Sequence, residues 1–325
     1  MFSWQFICVI CTIFTLALAK IRLRLYNISI YFKGVNHTMK INELKKDTAI
    51  FSLEIFPPKK TSSIETIYAT LDELSDVHPD FISVTFGAGG SVNNSTTVQI
   101  ASDIKTKYGI ESVAHLPCIY LTKSDAAKIL EDLKANGIEN ILALRGDLNP
   151  DMPPVNEFEY ASDLVKFINV YGGFNVIGAC YPETHLEASS PAEDIKHLKY
   201  KVDCGCNELI SQLFFDNNYF YSFLEKCDIA GINVPVEAGI MPVTNKRQIE
   251  RMTKMCGASL PEKFKKILDR YEFNDDALRD AGIAYAIDQI TDLIANGVDG
   301  IHLYTMNNPY VAKRIYEAVK NIIKA

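Results

Sequence analysis

Residues 49–58 read AIFSLEIFPP, an apolar run that ends at two prolines and contains one carboxylate, Glu54. The β-branched and aromatic residues predict a strand. Side chains alternate along a strand, so Ser52 and Glu54 share one face while Leu53 and Ile55 take the other. Burying an unpaired carboxylate is costly, and the run offers no Lys or Arg partner. We therefore expect a protonated carboxyl that can donate a proton near neutral pH.

This run is the first of eight β-branched or apolar segments that alternate with longer segments of helical period. They span residues 49–56, 81–87, 112–118, 140–146, 175–182, 208–215, 234–242 and 300–306. Strands that alternate with helices form parallel βαβ units, and eight such units predict an α/β fold, the closed (β/α)8 TIM barrel. No Pro/Ser-rich linker interrupts residues 39–325, so we predict a single domain there, with a doubly wound open sheet as the alternative.

The connecting segments carry helix signals. Residues 124–135 predict a helix capped by Ser124 and the Asp after it. Ser190, followed by a proline, predicts another helix start. The seventh connection, residues 244–297, is long enough for two or three helices, with a fresh start at Pro261.

Composition narrows the class of protein. The 325 residues are 48% hydrophobic and carry a formal charge of −7, so we predict a large core, a small-molecule ligand and no nucleic-acid partner. The eight cysteines are scattered, which favours a reducing cytoplasm over a disulfide framework. The pairs Cys8/Cys11 and Cys204/Cys206 lack a second pair at zinc-ligand spacing, so we predict no metal site.

Residues 1–38 differ from the rest of the chain. Residues 6–19 form an apolar run shorter than the ~20 residues that a spanning helix needs. A small-residue pattern at 17–19 resembles a signal-peptide cleavage site, but no positive charge precedes the run. We treat residues 1–38 as an N-terminal extension outside the barrel, either a start-site artefact with Met39 as the true start or a membrane or export segment.

Functional side chains occur at the end of nearly every predicted strand, where a barrel builds its active site. They are Glu54, Thr85, His115, Arg145 with Asp147, Tyr181 with His185, Gln212, and His302 with Tyr304. A histidine on a strand is more often a hydrogen-bonded core residue, the interpretation we favour for His302. Arg145 and Asp147 would also fit a structural ion pair. The glycine-rich residues 85–91 would suit either a bound phosphate or a tight turn.

Several longer motifs resemble those of one enzyme family. SLEIFPPK, DFISVTFGAGGS, LALRGD, CYPETHLEA, LKYKVDCGCNELISQLFFD, AGIMPVTN and HLYTMN are similar, in order and spacing, to the bacterial-type methylenetetrahydrofolate reductases over residues 41–325. The resemblance implies an FAD-dependent barrel that reduces 5,10-methylenetetrahydrofolate to 5-methyltetrahydrofolate, in one-carbon metabolism and methionine supply. It also implies a ping-pong order, in which NADH or NADPH reduces the flavin and leaves before the folate binds.

The resemblance also assigns site residues. It implies Glu54 as the acid that opens the imidazolidine ring of the folate and Asp147 as the aspartate beside the flavin and pterin. Substrate contacts are implied for Glu54, Thr85, Asp147, Gln212 and Gln248. Flavin contacts are implied for Thr85, Phe86, Ala88, His115, Arg145, Gly146, Asp147, Ala161, Tyr181, His185, Ala188, Asp194 and Lys201.

Some positions depart from the family pattern. Phe86 stands where a tyrosine is common, His197 and Tyr200 occupy flavin positions that are often basic, and Asn308 replaces an arginine that some relatives use on the folate tail. Two alternatives therefore stay open: a flavoprotein subunit of a larger electron-transfer complex, and a non-redox pterin-binding methyltransferase barrel. We expect a homo-oligomer, and the electron donor is left open.

Overall fold

The strands of the chain close into a parallel barrel. The computed structural model describes residues 39–44, 48–58, 62–86 and 95–325. Each strand pairs with its neighbours in sequence and the first pairs with the last, so the sheet has no free edge. A strand lies in each of the eight predicted runs, which confirms the (β/α)8 barrel: β1 Ile50–Ile55, β2 Phe81–Val84, β3 Glu111–Pro117, β4 Asn140–Leu144, β5 Asn175–Cys180, β6 Glu208–Ser211, β7 Val236–Ile240 and β8 Gly300–Tyr304.

Helices surround the barrel. Those of the described residues are α1 Glu65–Leu74, α2 Ser95–Tyr108, α3 Lys123–Ala135, α4 Ala161–Tyr171, α5 Pro191–Asp203, α6 Asn217–Ile229, α7 Lys246–Cys256, α8 Glu262–Tyr271, α9 Asp275–Ala295 and α10 Pro309–Ile323. The seventh connection thus contains three helices, and α8 begins directly after Pro261 as predicted. Ser190 caps α5 by accepting a hydrogen bond from the Glu193 N–H.

Helix α3 begins one residue earlier than predicted, and its cap is a different residue. Thr122 Oγ1 accepts from the Asp125 N–H at 3.0 Å, and Asp125 Oδ2 accepts from the Thr122 N–H at 3.3 Å. Together these bonds form a capping box, which needs a side-chain acceptor three residues after the cap. The predicted cap, Ser124, has Ala127 at that position, so the prediction was wrong.

The barrel wall separates two apolar cores. Leu53 and Ile55 face the helices and are fully buried, as the alternation along β1 predicts. A smaller cluster fills the interior near the amino ends of the strands. Burying an aliphatic side chain of this size contributes about 1.5–3 kcal/mol. The interior cluster consists of Ile41, Phe81, Val113, Leu142, Ile177 and Ile210.

Amide side chains close the amino end of the barrel around the first described residues. Asn140 Oδ1 accepts from the Ile41 N–H at 2.9 Å, and Asn140 Nδ2 donates to the Met39 carbonyl at 3.1 Å. Asn175 Nδ2 donates to Asn140 Oδ1, and Asn207 Nδ2 donates to Asn175 Oδ1. This ladder crosses three adjacent strands and holds residues 39–41 against the barrel floor.

Two predictions fall outside the described residues: the N-terminal extension, residues 1–38, and the glycine-rich loop with Ala88. Both stay predictions. In the part of the chain that the structure describes, no helix combines the length and apolar character needed to cross a membrane.

Candidate active site

Glu54 lies at the carboxyl end of β1 and points into the barrel. Its register partners are Ser83 on β2 and Tyr304 on β8. Its backbone carbonyl accepts a hydrogen bond from Thr305 Oγ1 at 2.6 Å, which fixes the strand end. Only 7% of the residue is exposed, so the predicted burial of this carboxyl is confirmed.

Two histidines approach the same oxygen of Glu54. Nε2 of His115, on β3, lies 3.5 Å from Glu54 Oε2, and Nε2 of His302, on β8, lies 3.6 Å from it. Burial lowers the pKa of His115 to about 4, against the raising effect of Glu54, so this ring is neutral near pH 7. The carboxyl therefore faces a neutral His115 ring rather than a cation.

A second group of polar residues lies deeper in the barrel, on the inward faces of β1, β2, β7 and β8. Ser52 Oγ lies 2.5 Å from Glu237 Oε2 and 2.6 Å from His302 Nδ1. Ser83 Oγ lies 3.4 Å from His302 Nε2. Glu237 and His302 are fully buried. Glu54 is thus the outermost member of a polar group that extends into the interior.

Charged side chains occupy the rim after β4 and β5. Both terminal nitrogens of Arg145 bind the carboxylate of Glu187, with Nη2 to Oε1 at 2.8 Å. This pairing raises the pKa of Arg145 above its ordinary value. Asp147 is exposed on the same rim, close enough to act electrostatically on Arg145 and Tyr181. The ion pair that closes this rim is therefore Arg145 with Glu187.

Aromatic rings and a carboxylate lie beside this pair. The rings of Tyr181 and His185 meet edge to face with centroids 4.6 Å apart. Burial, together with Cys256 and Asp147, raises the pKa of Tyr181 to about 12, so its hydroxyl stays protonated. Asp194 Oδ2 accepts from the His185 N–H at 2.9 Å, which ties α5 to the loop after β5.

Gly146 shapes the turn after β4. Its φ is +89°, and a Cβ there would lie 2.9 Å from the Cβ of Pro117 on the adjacent strand. Both facts exclude a larger residue. The glycine lets the chain cross close to β3, and Asp147 follows on the rim.

The predicted glutamines lie on the other side of the rim. Gln212 follows β6, and its Oε1 accepts from the Leu213 N–H at 2.8 Å. Gln248 is in the first turn of α7 and donates its N–H to the cap residue Asn245. It lines a small depression together with Met241 and Met306. The residues that line this depression carry no charge.

Comparisons with known proteins identify the family. The chain matches the family model described as methylenetetrahydrofolate reductase over residues 40–320. It is 37% identical over 256 residues to the 5,10-methylenetetrahydrofolate reductase of Escherichia coli, covering 79% of this chain and 86% of the relative. The chain belongs to the methylenetetrahydrofolate reductase family. As a member it is an oxidoreductase, and its homologues support reduction of methylenetetrahydrofolate.

The share of the relative that this chain covers differs between bacterial and plant proteins. The enzyme of Pectobacterium carotovorum is 36% identical over 261 residues, covering 79% of this chain and 85% of the relative. Methylenetetrahydrofolate reductase (NADH) 1 of Arabidopsis thaliana is 35% identical over 277 residues, which cover 79% of this chain but 46% of the plant protein. The reductase domain described here thus corresponds to about half of the plant relative.

A solved structure resembles this reductase in fold. An uncharacterized protein from Clostridium thermocellum, described as binding two copies of 5-methyl-5,6,7,8-tetrahydrofolic acid, gives a TM-score of 0.58. The match covers 85% of this chain and 96% of that chain at 13% identity. At that identity the likeness shows the barrel fold alone.

The other residues predicted to contact the flavin lie at different places in the fold. Thr85 follows β2 and donates its N–H to the Ile55 carbonyl. Phe86 packs against the outer core, and Ala161 begins α4. The Ala188 N–H donates to the His185 carbonyl, on the Tyr181 side of the rim. Lys201 differs, because its Nζ donates to the Ala179 carbonyl of β5.

Sequence reasoning missed Glu187, Glu208 and Glu237. A lone carboxylate in an apolar strand singled out Glu54, and the same signal is present in the runs 208–215 and 234–242. It could have found Glu208 and Glu237. Nothing in the local sequence pairs Glu187 with Arg145, 42 positions earlier, because that contact depends on two adjacent strand ends meeting at the rim.

Proposed function

We propose that this reductase converts 5,10-methylenetetrahydrofolate to 5-methyltetrahydrofolate with FAD and a reduced nicotinamide, in a ping-pong order. The nicotinamide, NADH or NADPH, leaves before the folate binds. The observation that carries the proposal is the buried carboxyl of Glu54, at the active end of the barrel beside the neutral ring of His115. We assign Glu54 as the general acid of the folate step.

Glu54 would donate its proton to a nitrogen of the imidazolidine ring of the folate. The ring then opens to a cationic iminium, the form that accepts a hydride at the one-carbon unit. Burial keeps bulk water away from this carboxyl. A positioned acid of this kind contributes about 10²–10⁴ to the rate of a step.

Asp147 would act on the charge that this step creates. Its exposed carboxylate can stabilise the iminium and hold the polar edge of the pterin. Thr85, Gln212 and Gln248 would complete the folate contacts. Together these residues would bind and orient the folate while Glu54 moves the proton.

The residues at the rim fit a flavin dinucleotide. Arg145 supplies a cation for the diphosphate, and its present partner, Glu187, has a half-exposed side chain that a phosphate could displace. His115 Nε2 is buried without a hydrogen-bond partner, and Asp194 can bind ribose hydroxyls. When bound, FAD would accept and donate the hydride. The other proposed contacts are Thr85, Phe86, Ala88, Gly146, Asp147, Ala161, Tyr181, His185, Ala188 and Lys201.

An anaerobic absorbance titration at the flavin band tests the proposal. The purified chain, reconstituted with FAD, should be yellow, lose its colour with NADH or NADPH, and regain it with methylenetetrahydrofolate. Product analysis should give 5-methyltetrahydrofolate in equal amount to the nicotinamide oxidised. A chain that takes up no FAD would contradict the proposal.

Two other outcomes distinguish the alternatives. Bleaching by dithionite but by neither nicotinamide, followed by reoxidation with the folate, would point to a protein electron donor. Methyl transfer from the folate without any change in the flavin band would point to a non-redox pterin enzyme.

A further inference from the structure

A glutamate in the loop after β5 joins two segments that are far apart in the sequence. Glu183 accepts hydrogen bonds from Ser259, which lies between α7 and α8 and is 76 positions away. The Ser259 N–H donates to Glu183 Oε1 at 3.1 Å and to Oε2 at 3.0 Å, and Ser259 Oγ donates to Oε2 at 2.5 Å. The proposed function uses neither residue, so this set of bonds, the Glu183–Ser259 clasp, is left to explain.

A glycine brings the same two segments into contact beside the clasp. Gly257 ends α7 with a φ of +75°, and its N–H donates to the Thr253 carbonyl. A Cβ at Gly257 would lie 2.7 Å from Leu186 Cδ2, so this close approach needs a glycine. The end of α7 therefore packs directly on the loop after β5, and the clasp bonds it there.

The loop after β5 is the fixed partner in this contact. The His185 N–H donates to Asp194 Oδ2 at 2.9 Å, and Glu187 pairs with Arg145. Thr184, directly before His185, has a φ of +78°. A β-branched residue is strained in that region, and such a conformation persists only where the surrounding structure fixes it. The loop thus offers a defined anchor.

Helix α7 is held by few contacts of its own. Of its 11 residues, Ile249 and Thr253 are buried. At its first turn, Lys246 Nζ lies 2.9 Å from Asp269 Oδ1 on α8 and 2.8 Å from Glu272 Oε2 directly after α8. These ion pairs tie the start of α7 to its neighbouring helix, whereas the clasp ties the end of α7 to the barrel rim.

One face of α7 borders the mouth of the barrel. Gln248, Met252 and Cys256 recur at every fourth residue, a spacing that places them along one side of a helix. Gln248 and Met252 line the depression that also contains Met306. Burial raises the pKa of the Cys256 thiol and Asp147 adds to the effect, so the end of this face lies near the rim after β4. The position of α7 therefore decides where Gln248 stands.

We propose that Glu183 is a positioning residue for folate binding: through the clasp it fixes α7, and with it Gln248, at the mouth of the barrel. A helix held at both ends presents Gln248 before the folate arrives. Without the clasp, binding has to order the end of α7, and the affinity falls by that cost. This assignment rests on the proposed folate contact of Gln248.

Hydrogen–deuterium exchange of the full chain, read by mass spectrometry, tests whether the clasp holds α7. Glu183→Ala removes all three bonds, and we expect the amides of residues 246–260 to exchange about tenfold faster. Glu250→Gln is the matched control, because Glu250 is an exposed glutamate of α7 itself, and it should leave the exchange unchanged. Unchanged exchange in Glu183→Ala, or an equal acceleration in residues 309–323, would overturn the proposal.

Steady-state kinetics measure the effect on the folate. In Glu183→Ala we expect the KM for methylenetetrahydrofolate to rise about tenfold while kcat stays within about twofold, because an ordering cost on binding is common to the ground state and the transition state. Glu183→Gln keeps an oxygen that can accept from Ser259, so its KM should lie between the two. A fall in kcat without a rise in KM would overturn the proposal.

The two measurements separate this proposal from the one on which it rests. If Gln248→Ala keeps the wild-type KM, the proposed folate contact is wrong, and the exchange of Glu183→Ala alone decides whether the clasp holds α7. If Glu183→Ala does not fold, Glu183→Gln and Ser259→Ala take its place. Each keeps part of the clasp, so the same changes are expected at smaller size, and their absence in both variants would overturn the proposal.

Discussion

The two ends of the barrel interior are built from different chemistry. At the carboxyl ends of the strands, His115 Nε2 is buried without a hydrogen-bond partner, and Glu54 Oε2 lies 3.5 Å from it. At the amino ends, Asn140 and Asn175 have their amides paired with one another and with residues 39–41. The amides at the amino end use their hydrogen bonds to close the fold, whereas His115 Nε2 at the carboxyl end keeps hydrogen-bonding capacity for a ligand. Barrel enzymes generally divide activity and stability in this way.

Glu54→Gln should have the largest effect on activity, because it removes the proposed acid at the carboxyl end of the barrel. Glutamine fills the same space and cannot donate a carboxylic proton. We expect flavin reoxidation by methylenetetrahydrofolate to slow about 10³-fold, since a general acid contributes 10²–10⁴. Flavin reduction by nicotinamide should stay within a few fold, as measured by stopped-flow absorbance under anaerobic conditions.

Glu225→Gln is the control for this change, because Glu225 is an exposed residue of α6. The urea midpoint of Glu54→Gln should equal or exceed that of the wild type, since a buried carboxyl has been replaced by a neutral amide. Equal loss of both half-reactions would remove Glu54 from the role of acid.

Asn140→Ala should instead destabilise the amino end of the barrel. It leaves the Ile41 N–H, the Met39 carbonyl and one amide hydrogen of Asn175 without this partner. We expect a loss of about 3 kcal/mol in the free energy of unfolding, measured by urea denaturation. The exposed Asn321→Ala on α10 should change it by less than about 0.5 kcal/mol.

The rates of both half-reactions should survive Asn140→Ala at temperatures where the variant is folded. A folate step that slows as much as in Glu54→Gln would mean that the two ends are coupled, and the division between them would be wrong.

The sequence predicted the elements of this fold better than the contacts between them. Alternation in 49–56 placed Ser52 and Glu54 inside the barrel because strand periodicity is a local property. The bond between Asn140 and Ile41 joins positions 99 apart, and nothing in either segment indicates it. Lys201 was predicted to face a diphosphate, and in the fold its Nζ donates to the Ala179 carbonyl. Flexible cations take whichever acceptor the assembled fold offers.

The pH dependence of stability should show a smaller effect, which comes from His115 at the carboxyl end of the barrel. Burial lowers the pKa of His115 to about 4, whereas histidine in an unfolded chain has an ordinary pKa near 6.5. Between these values the unfolded state binds more protons, so the free energy of unfolding falls as the pH falls. We expect this group to cost about 2 kcal/mol between pH 7 and pH 5, measured by urea denaturation.

His115→Asn should remove this loss of stability between pH 7 and pH 5, while the exposed His197→Asn should keep it.

Glu237 affects the free energy of unfolding with the opposite sign, because its pKa is raised. The folded state keeps a proton that the unfolded chain releases above about pH 4.3. Its contribution is present at low pH and is lost as the pH rises towards the folded pKa. The two windows overlap, so each is measured as the difference between a variant and the wild type. If Glu237→Gln also changed the loss of stability that His115 causes between pH 7 and pH 5, the two groups would titrate as one coupled unit.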